Sequence, residues 1–407
     1  MTTGILTLAF FTDVSVLNMT ATIAWNAVNS YGLVALPLFV LMGEILLRSG
    51  ISRRMFGALA PFMERLPGGL LHINVIGSAM FAAISGSSAA TAATIGKITL
   101  PELKSRGYCE KLAVGSLAGA GTLGFLIPPS IIMIVYGVMA GVSVGQLFIA
   151  GLLPGLLLVF MFSGWICLQH GLNSSKKMKV KPTTKESFKW NFAARGLLGL
   201  APVVALIVIV LGSIYSGVAT TTESAAIGVM GATILGLLTG ELSLNELREA
   251  ASQAVYTSSM IGMILAGAAV LSTAVDLVGL PKALVEAVSA RHLEPLATIA
   301  ALIGLYVLLG MFLDGISMVV VTLPLALPIA TTAGYSSLWF GIFLVIMVEM
   351  AQITPPVGFN IFVLQGLTGR SAGWIARAAL PFFLILLGFA LLLALFPGIA
   401  TVMVPDI

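Results

Sequence analysis

The sequence predicts an all-α polytopic membrane protein built as an inverted repeat, with two re-entrant helical hairpins and two broken helices. Three observations carry that prediction: the scarcity of charge, the sidedness of the basic residues, and a set of turn-forming residues that recurs at one fixed spacing.

Of 407 residues, 20 are Lys or Arg and 16 are Asp or Glu, so 9% of the chain is charged, against about 25% in ordinary soluble domains. Together with 58% hydrophobic residues, this excludes a water-soluble fold and equally a disordered chain, which is poor in apolar residues. No Asp, Glu, Lys or Arg occurs in the 64 residues between Lys111 and Lys176, and about 20 apolar residues suffice to span a bilayer as a helix. The 44 glycines and 18 prolines are tolerated in membrane helices where neighbours re-satisfy the freed backbone groups. Cys109 and Cys167 lack metal-ligand spacing and imply neither a disulfide framework nor a zinc site. His72, His170 and His292 stand singly and read as solvated or satisfied side chains. No basic region precedes the first apolar run, so no cleavable signal peptide is expected. The net charge of +4 comes from loops and suggests no nucleic acid; the surrounding partner is membrane lipid.

Apolar segments run at about 31–49, 70–103, 112–142, 146–169, 197–216, 224–240, 254–275, 295–333, 337–367 and 378–403. Segment 70–103 has Arg65 before it and Lys104, Arg106 and Lys111 after it, so both ends face one side, as in a hairpin that enters and leaves from the cytoplasm. Residues 112–142 then cross outward and 146–169 return, and the loop with Lys176, Lys177, Lys179, Lys181, Lys185 and Lys189 lands inside. On this topology 18 basic residues lie inside and 2, Lys282 and Arg291, outside, a bias of the sign expected for a membrane protein. Segment 295–333 becomes a second hairpin, entering from outside.

Leu100-Pro101, Gly107-Tyr108, Pro128-Pro129 and Leu153-Pro154 recur as Leu327-Pro328, Gly334-Tyr335, Pro355-Pro356 and Leu380-Pro381, each displaced by 227 positions. The two copies lie in opposite orientation, an inverted-topology repeat of the kind secondary transporters use, with the binding site near the midplane between interrupted helices. The first repeat is 1–169, with hairpin 70–103 and broken helix 112–142; 170–196 is a basic cytoplasmic loop; the second repeat is 197–407, with hairpin 295–333 and broken helix 337–367. Subtracting 227 from spans 197–216 and 224–240 puts their counterparts at about −30 to −11 and −3 to 13, so the first repeat is expected to lack an N-terminal helix.

The offset aligns Ser87, in Ser85-Gly86-Ser87-Ser88, with Asp314, in Leu313-Asp314-Gly315-Ile316-Ser317. It also aligns Phe125-Leu126-Ile127-Pro128-Pro129-Ser130 with Gln352-Ile353-Thr354-Pro355-Pro356-Val357. Proline removes a backbone donor and clashes with the preceding turn, so each span should unwind there and leave carbonyls unpaired. Unpaired carbonyls in hydrocarbon are costly, and a desolvated cation would satisfy them. Each half is therefore expected to make one cation site from a hairpin tip and the facing Pro-Pro loop: Ser85, Gly86, Ser87, Ser88, Ile127 and Pro128 in one, Asp314, Gly315, Ser317, Gln352, Thr354 and Pro355 in the other. Half-helix N-termini at these breaks suit an anionic substrate, with Ser87, Ser88, Thr91, Ser130, Asp314, Pro356, Gly358 and Asn360 as its expected contacts. For each proline pair the alternative is a kink that merely shapes the bundle, and for Ser85, Ser87, Ser88 and Thr354 it is helix capping.

The run Ile84-Ser85-Gly86-Ser87-Ser88-Ala89-Ala90-Thr91-Ala92-Ala93-Thr94-Ile95-Gly96, with Leu126-Ile127-Pro128-Pro129-Ser130, Thr222-Glu223-Ser224-Ala225 and Ile353-Thr354-Pro355-Pro356-Val357-Gly358, resembles the large membrane subunit of TRAP (tripartite ATP-independent periplasmic) transporters. The resemblance extends from Pro37-Leu38-Phe39 to the last helix. It implies a bacterial inner-membrane subunit that imports a small organic anion with Na+ by an elevator motion, both hairpins and both broken spans sliding as one body. It further implies a soluble periplasmic binding protein that delivers the substrate and a small membrane subunit as partners. Many relatives carry Asp where Thr91 stands, so no carboxylate role transfers there. The basic residue that sugar-acid carriers often have just before the segment matching Leu280-Pro281 is replaced by Val275-Asp276-Leu277-Val278-Gly279.

Asp314 is the only acidic residue between Pro295 and Val348, and cation coordination is the favoured role for a carboxylate at membrane depth. Glu223 follows Thr220-Thr221-Thr222 and reads as part of an N-terminal cap, Lys97 as snorkelling toward the cytoplasm, and Glu349 as a charge-balancing group near the second loop. Glu44 has no assigned role. A stand-alone sodium/organic-anion symporter would share the fold. An intramembrane aspartyl protease would need Asp276 and Asp314 to share a proton, and the topology puts one at the outer edge and the other at depth, so no catalytic residues are expected.

Overall fold

A computed structural model describes residues 1–11, 15–172, 190–240, 242–291 and 294–404. The lysines expected in the basic loop, Lys176 to Lys189, and His292 lie outside the described residues.

In chain order the helices are α1 Thr2–Phe11, α2 Val16–Val28, α3 Ala35–Arg48, α4 Ile51–Met63, α5 Leu71–Ser85, α6 Ser88–Ser105, α7 Glu110–Thr122, α8 Ile131–Ala140, α9 Val144–Leu172, α10 Trp190–Tyr215, α11 Thr221–Leu238, α12 Leu244–Leu277, α13 Leu280–Ser289, α14 Pro295–Gly310, α15 Gly315–Thr332, α16 Ser337–Gln352, α17 Phe359–Thr368, α18 Ala372–Leu395 and α19 Gly398–Thr401. Among the described residues, six helices are long and apolar enough to cross a membrane.

Helices α5 and α6 pack side by side as one hairpin, α14 and α15 as the other. The first broken helix is α7, a 3-10 turn Leu123–Phe125, an irregular stretch, and α8; the second is α16, the loop 353–358, and α17. Helix ends follow the offset of 227 closely: α6 ends at Ser105 and α15 at Thr332, and α7 begins 227 positions before α16. Side chains set many of the starts. Ser87 caps α6, Ser130 caps α8, Asp314 caps α15 and Ser336 caps α16, each satisfying an amide that lacks an intrahelical acceptor.

Four helices lie outside the apolar segments read from the sequence. Helices α4 and α13 are short and amphipathic, carrying Arg54 and Lys282 with Glu286, so no apolar run marks them. Helix α1 falls where the counterpart of 224–240 was expected, and both α1 and α2 pack on α12. Helix α12 also begins ten residues ahead of the apolar run at 254, because Ser243 and Glu246 form a capping box that starts it among charged residues.

The centre of the molecule is α16, every residue of which after Ser337 is buried. Its aromatic ridge stacks, Trp339 on Phe343 at 5.3 Å between ring centroids and Tyr335 on Trp339 at 4.1 Å, and the Tyr136 hydroxyl of α8 donates to the Ser337 carbonyl at 2.5 Å. Helix α18 lies against α7 where Gly115 and Gly119 expose backbone, so that a Cβ at Gly115 would strike the Ala378 carbonyl. Close approach over small residues is how helices associate when lipid supplies no hydrophobic drive. Around this body, α3 packs on α11 and α12, and α10 on α4 and α11. Arg48 bridges Glu249 at 2.8 Å and Glu44 at 3.4 Å, giving Glu44 a structural role. Arg370 grips Glu110 through two nitrogens, at 2.6 and 3.0 Å, tying the start of α7 to the turn after α17.

The opposite sidedness of the hairpins is directly measurable. With Cys109 and Cys167 replaced by serine, Ser105→Cys and Thr332→Cys should react with a membrane-impermeant thiol reagent from opposite faces, position 105 from the cytoplasm. Labelling of both from one face would remove the inverted repeat.

Candidate functional site

The first hairpin tip turns on Gly86, whose φ of 58° ends α5 in the left-handed conformation that glycine adopts without strain. A Cβ there would sit 2.9 Å from the Pro129 carbonyl oxygen, and one at Gly124 would sit 2.8 Å from the Ser87 carbonyl group. The tip is thus seated directly on the first Pro-Pro loop, backbone against backbone. Within it, Ser85 Oγ donates to the Ser87 carbonyl at 3.3 Å and lies 3.0 Å from Thr91 Oγ1, which itself donates to the Ser87 carbonyl at 2.7 Å. Ser130 Oγ donates to the Phe125 carbonyl and accepts from the Met133 amide at 3.3 Å.

The halves exchange contacts across the centre. Ser88 Oγ, on the first hairpin, donates to Asn360 Oδ1 at 3.0 Å, and Asn360 Nδ2 donates to the Ala118 carbonyl at 3.4 Å. Gly315, on the second hairpin, lies against Val348, the Gln352 side chain and Ile132. Each second arm therefore rests on the short helix of the other half, α6 on α17 and α15 on α8, and the starts of all four helices meet at the tips and loops.

The loops leave oxygens free. Among the described residues, the carbonyls of Leu126, Ile127, Pro128 and Pro129 accept no hydrogen bond, nor do those of Gln352, Ile353, Pro355, Pro356 and Val357. Both Pro-Pro bonds are cis. The expected ligands are brought together unevenly. Ser85, Ser87 and Thr91 are bonded to one another, and Gly86, Ser87 and Ser88 lie against the first loop at Pro129 and Gly124, whereas among the described residues Asp314 makes no hydrogen bond to Gln352 or Thr354. Its Oδ2 accepts from the Ile316 and Ser317 amides at 3.2 and 3.4 Å, and its side chain is exposed. Thr354 Oγ1 donates back to the Met350 carbonyl at 2.7 Å. Ser87, Ser130 and Asp314 all serve as caps, so the capping role considered for Ser87 is realised.

The halves also differ in cover. Leu126 to Ser130 are buried, and Ile84 and Ser85 lie under Gly43 of α3. Pro355, Pro356, Val357, Phe312 and Phe359 are exposed, while Gly358 and Asn360 are buried. Lys97 is exposed on a cavity of about 450 Å³ with Lys104, Tyr108 and Glu110, at the base of the first hairpin rather than at its tip. Glu223 completes the cap expected of it, accepting from the Thr220 amide and hydroxyl at 2.8 Å each. Asp276 lies in the last turn of α12, with no hydrogen bond to Asp314.

Two features escaped the sequence. The Ser88–Asn360 bond joins residues 272 apart, a pairing the repeat offset cannot give. Glu349 is fully buried against Thr122, and the offset of 227 does connect these two.

Comparison with known proteins places this arrangement. Residues 1–399 match the family model "Tripartite ATP-independent periplasmic transporter, DctM component". The chain is 33% identical over 399 residues to the C4-dicarboxylate TRAP transporter large permease protein DctM of Pseudomonas aeruginosa, covering 98% of this chain and 91% of that one. It is 31% identical over 384 residues to the isethionate TRAP transporter permease protein DctMQ of Oleidesulfovibrio alaskensis, 93% of this chain but 59% of that longer relative. The crystal structure of the Alcanivorax borkumensis YdaH transporter superposes with a TM-score of 0.66 over 97% of this chain and 91% of its own, at 14% identity, a likeness of fold.

Seating of the first tip can be tested by one methyl group. Gly124→Ala should lower stability by about 1–3 kcal/mol, as overpacking against fixed backbone does, whereas Gly164→Ala, where a Cβ meets nothing within 4 Å, should lose none. Thermal unfolding of the purified protein in lipid nanodiscs measures both, and equal melting of the two variants would contradict the close approach.

Proposed function

Because the chain belongs to the DctM-component family of tripartite ATP-independent periplasmic transporters, we propose that it is the large membrane subunit of a sodium-coupled importer of a small organic anion. It takes the substrate from a periplasmic binding protein and works beside a small membrane subunit in the bacterial inner membrane. The observation that carries the proposal is the placing of four helix starts, α6, α8, α15 and α17, at two loops that each leave several carbonyls without a partner.

Helix N-termini present unbonded amides and partial positive charge, which favours a carboxylate or a comparable anion in the space between the tips. Free carbonyls favour a hard monovalent cation. On this reading sodium is cargo in both halves, taken by the free Ile127 to Pro129 carbonyls in the first, where the Ser87 carbonyl is already engaged by Ser85 and Thr91, and by Asp314 with the free Gln352 and Pro355 carbonyls in the second. Bound sodium supplies the charge that lets the tips close over an anion, so neither is carried alone. Hairpins and broken helices interlock through exchanged contacts, which supports their sliding as one body against α3, α10, α11 and α12.

Asp314→Asn separates charge from structure, because asparagine caps helices as well as aspartate. With the small subunit and binding protein present in proteoliposomes, sodium-driven uptake should fall by about tenfold or more, the equivalent of ~1.4 kcal/mol, while the fold persists. A panel of organic acids that includes C4-dicarboxylates and isethionate, titrated on the binding protein, selects the substrate. Uptake at the wild-type rate with unchanged sodium dependence would reject the role of Asp314, and uptake without the binding protein would reject the tripartite assignment.

A further inference from the structure

Glu349 is the one Asp, Glu, Lys or Arg side chain that is fully buried among the described residues, and neither of its carboxyl oxygens has a hydrogen-bond partner. It stands in α16, one turn before the second Pro-Pro loop, and faces Thr122, at the end of α7 just before the first loop. These residues are 227 positions apart. They occupy the same place in the two repeats and meet each other, so they lie on the pseudo-twofold axis that relates the broken helices.

Among the described residues no charged group acts on Glu349. On the elements packed against α16, Asp314 caps the start of α15 beside Gly315, which packs on Val348, but its Oδ2 accepts from the Ile316 and Ser317 amides and its side chain is exposed; Glu110 and Lys111 lie at the opposite end of α7 from Thr122, about 17 Å along the helix, Arg377 lies in the first turns of α18, and Cys167 and His170 lie near the end of α9. The hydroxyls of Tyr136 and Tyr306 are engaged with the Ser337 carbonyl and with Thr322. Thr122 Oγ1 donates its own proton to the Gly119 carbonyl at 2.8 Å, so it has none to offer a carboxylate but retains a lone pair. An ionised Glu349 would be buried with no donor and no cation, whereas the neutral acid has an acceptor directly opposite.

We propose that Glu349 is a proton-binding site, carried as the neutral acid with its proton donated to Thr122 Oγ1, and that this pair positions the two broken helices on their common axis. The chain Glu349 to Thr122 to the Gly119 carbonyl then runs from α16 into α7, with every proton accounted for. Glu349 is a positioning residue that acts through Thr122, and its ionisation separates the helices that lead into the two loops.

The state of the proton can be measured without substrate. Infrared spectra of the protein in lipid nanodiscs at neutral pH should show a carbonyl-stretch band of a protonated carboxylic acid that is absent in Glu349→Gln and retained in Asp276→Asn and Asp314→Asn. No such difference would overturn the inference, whatever the transport reading. In the uptake assay, Glu349→Gln should work close to the wild-type rate at neutral pH and keep working at alkaline pH, where the wild type declines as the acid ionises. Thr122→Val should lower uptake about tenfold by stranding a buried donor, and Thr122→Ser should restore it. Uptake abolished by Glu349→Gln, or an alkaline decline shared by that variant and the wild type, would overturn it too. Loss of sodium dependence alone bears on Asp314 and leaves Glu349 standing.

Discussion

Every backbone amide and carbonyl inside a bilayer must be satisfied from within the protein, and this molecule is organised around two places where a helix cannot do so. Prolines at 128, 129, 355 and 356 remove donors in the middle of two central spans. The chain answers by bringing another break to each one. Hairpin tips, themselves breaks, come down on the loops, and amides freed at the tips are taken up by Ser87 and Asp314, with Ser130 doing the same at the end of the first loop. The start of α17 at Gly358 has no side-chain cap, and several loop carbonyls stay free. Those free carbonyls are what makes a cation-binding reading physically coherent, as the uncapped amides do for an anion.

The repeat is symmetric in backbone and asymmetric in chemistry. Ser85, Ser87, Ser88 and Thr91 correspond to Phe312, Asp314, Gly315 and Met318. Hydroxyls in the first half bond to one another and to the Ser87 carbonyl, building a closed, neutral site beneath α3. In the second half a single carboxylate stands where the hydroxyl cluster has no counterpart, and the loop beside it is uncovered. A carboxylate tolerates exposure and a neutral hydroxyl cluster does not need it, so the distribution of charge and the distribution of cover agree.

What the sequence made legible was whatever repeats or interrupts. The hairpins, the broken spans and their pairing across 227 positions all follow from proline, glycine and serine at breaks in apolar runs. Helices α4 and α13 were not legible, since an amphipathic helix at a membrane edge has no apolar run to announce it. The start of α12 was missed because a capping box, not hydropathy, decides it. At the site, residue type narrowed the candidates without separating a cap from a ligand. Ser87 and Asp314 are oxygen donors either way, and only coordinates show that their oxygens already hold amides. The Ser88–Asn360 bond lay beyond reach because it depends on how the two halves dock.

Docking of the halves also explains why a carboxyl can persist at the centre. Two identical residues meeting on a twofold axis would have to be complementary to themselves, which two carboxyls or two methyl groups achieve poorly or without direction. A duplicated chain is free to diverge there, and this one places an acid against a hydroxyl that already points its proton elsewhere. An acid opposite an acceptor makes a directed bond only while it keeps its proton, and in a dry interior keeping it is the less costly state. The symmetry that builds two sites thereby leaves one position where the halves must differ, and at that position the fold depends on a proton rather than on a residue type alone.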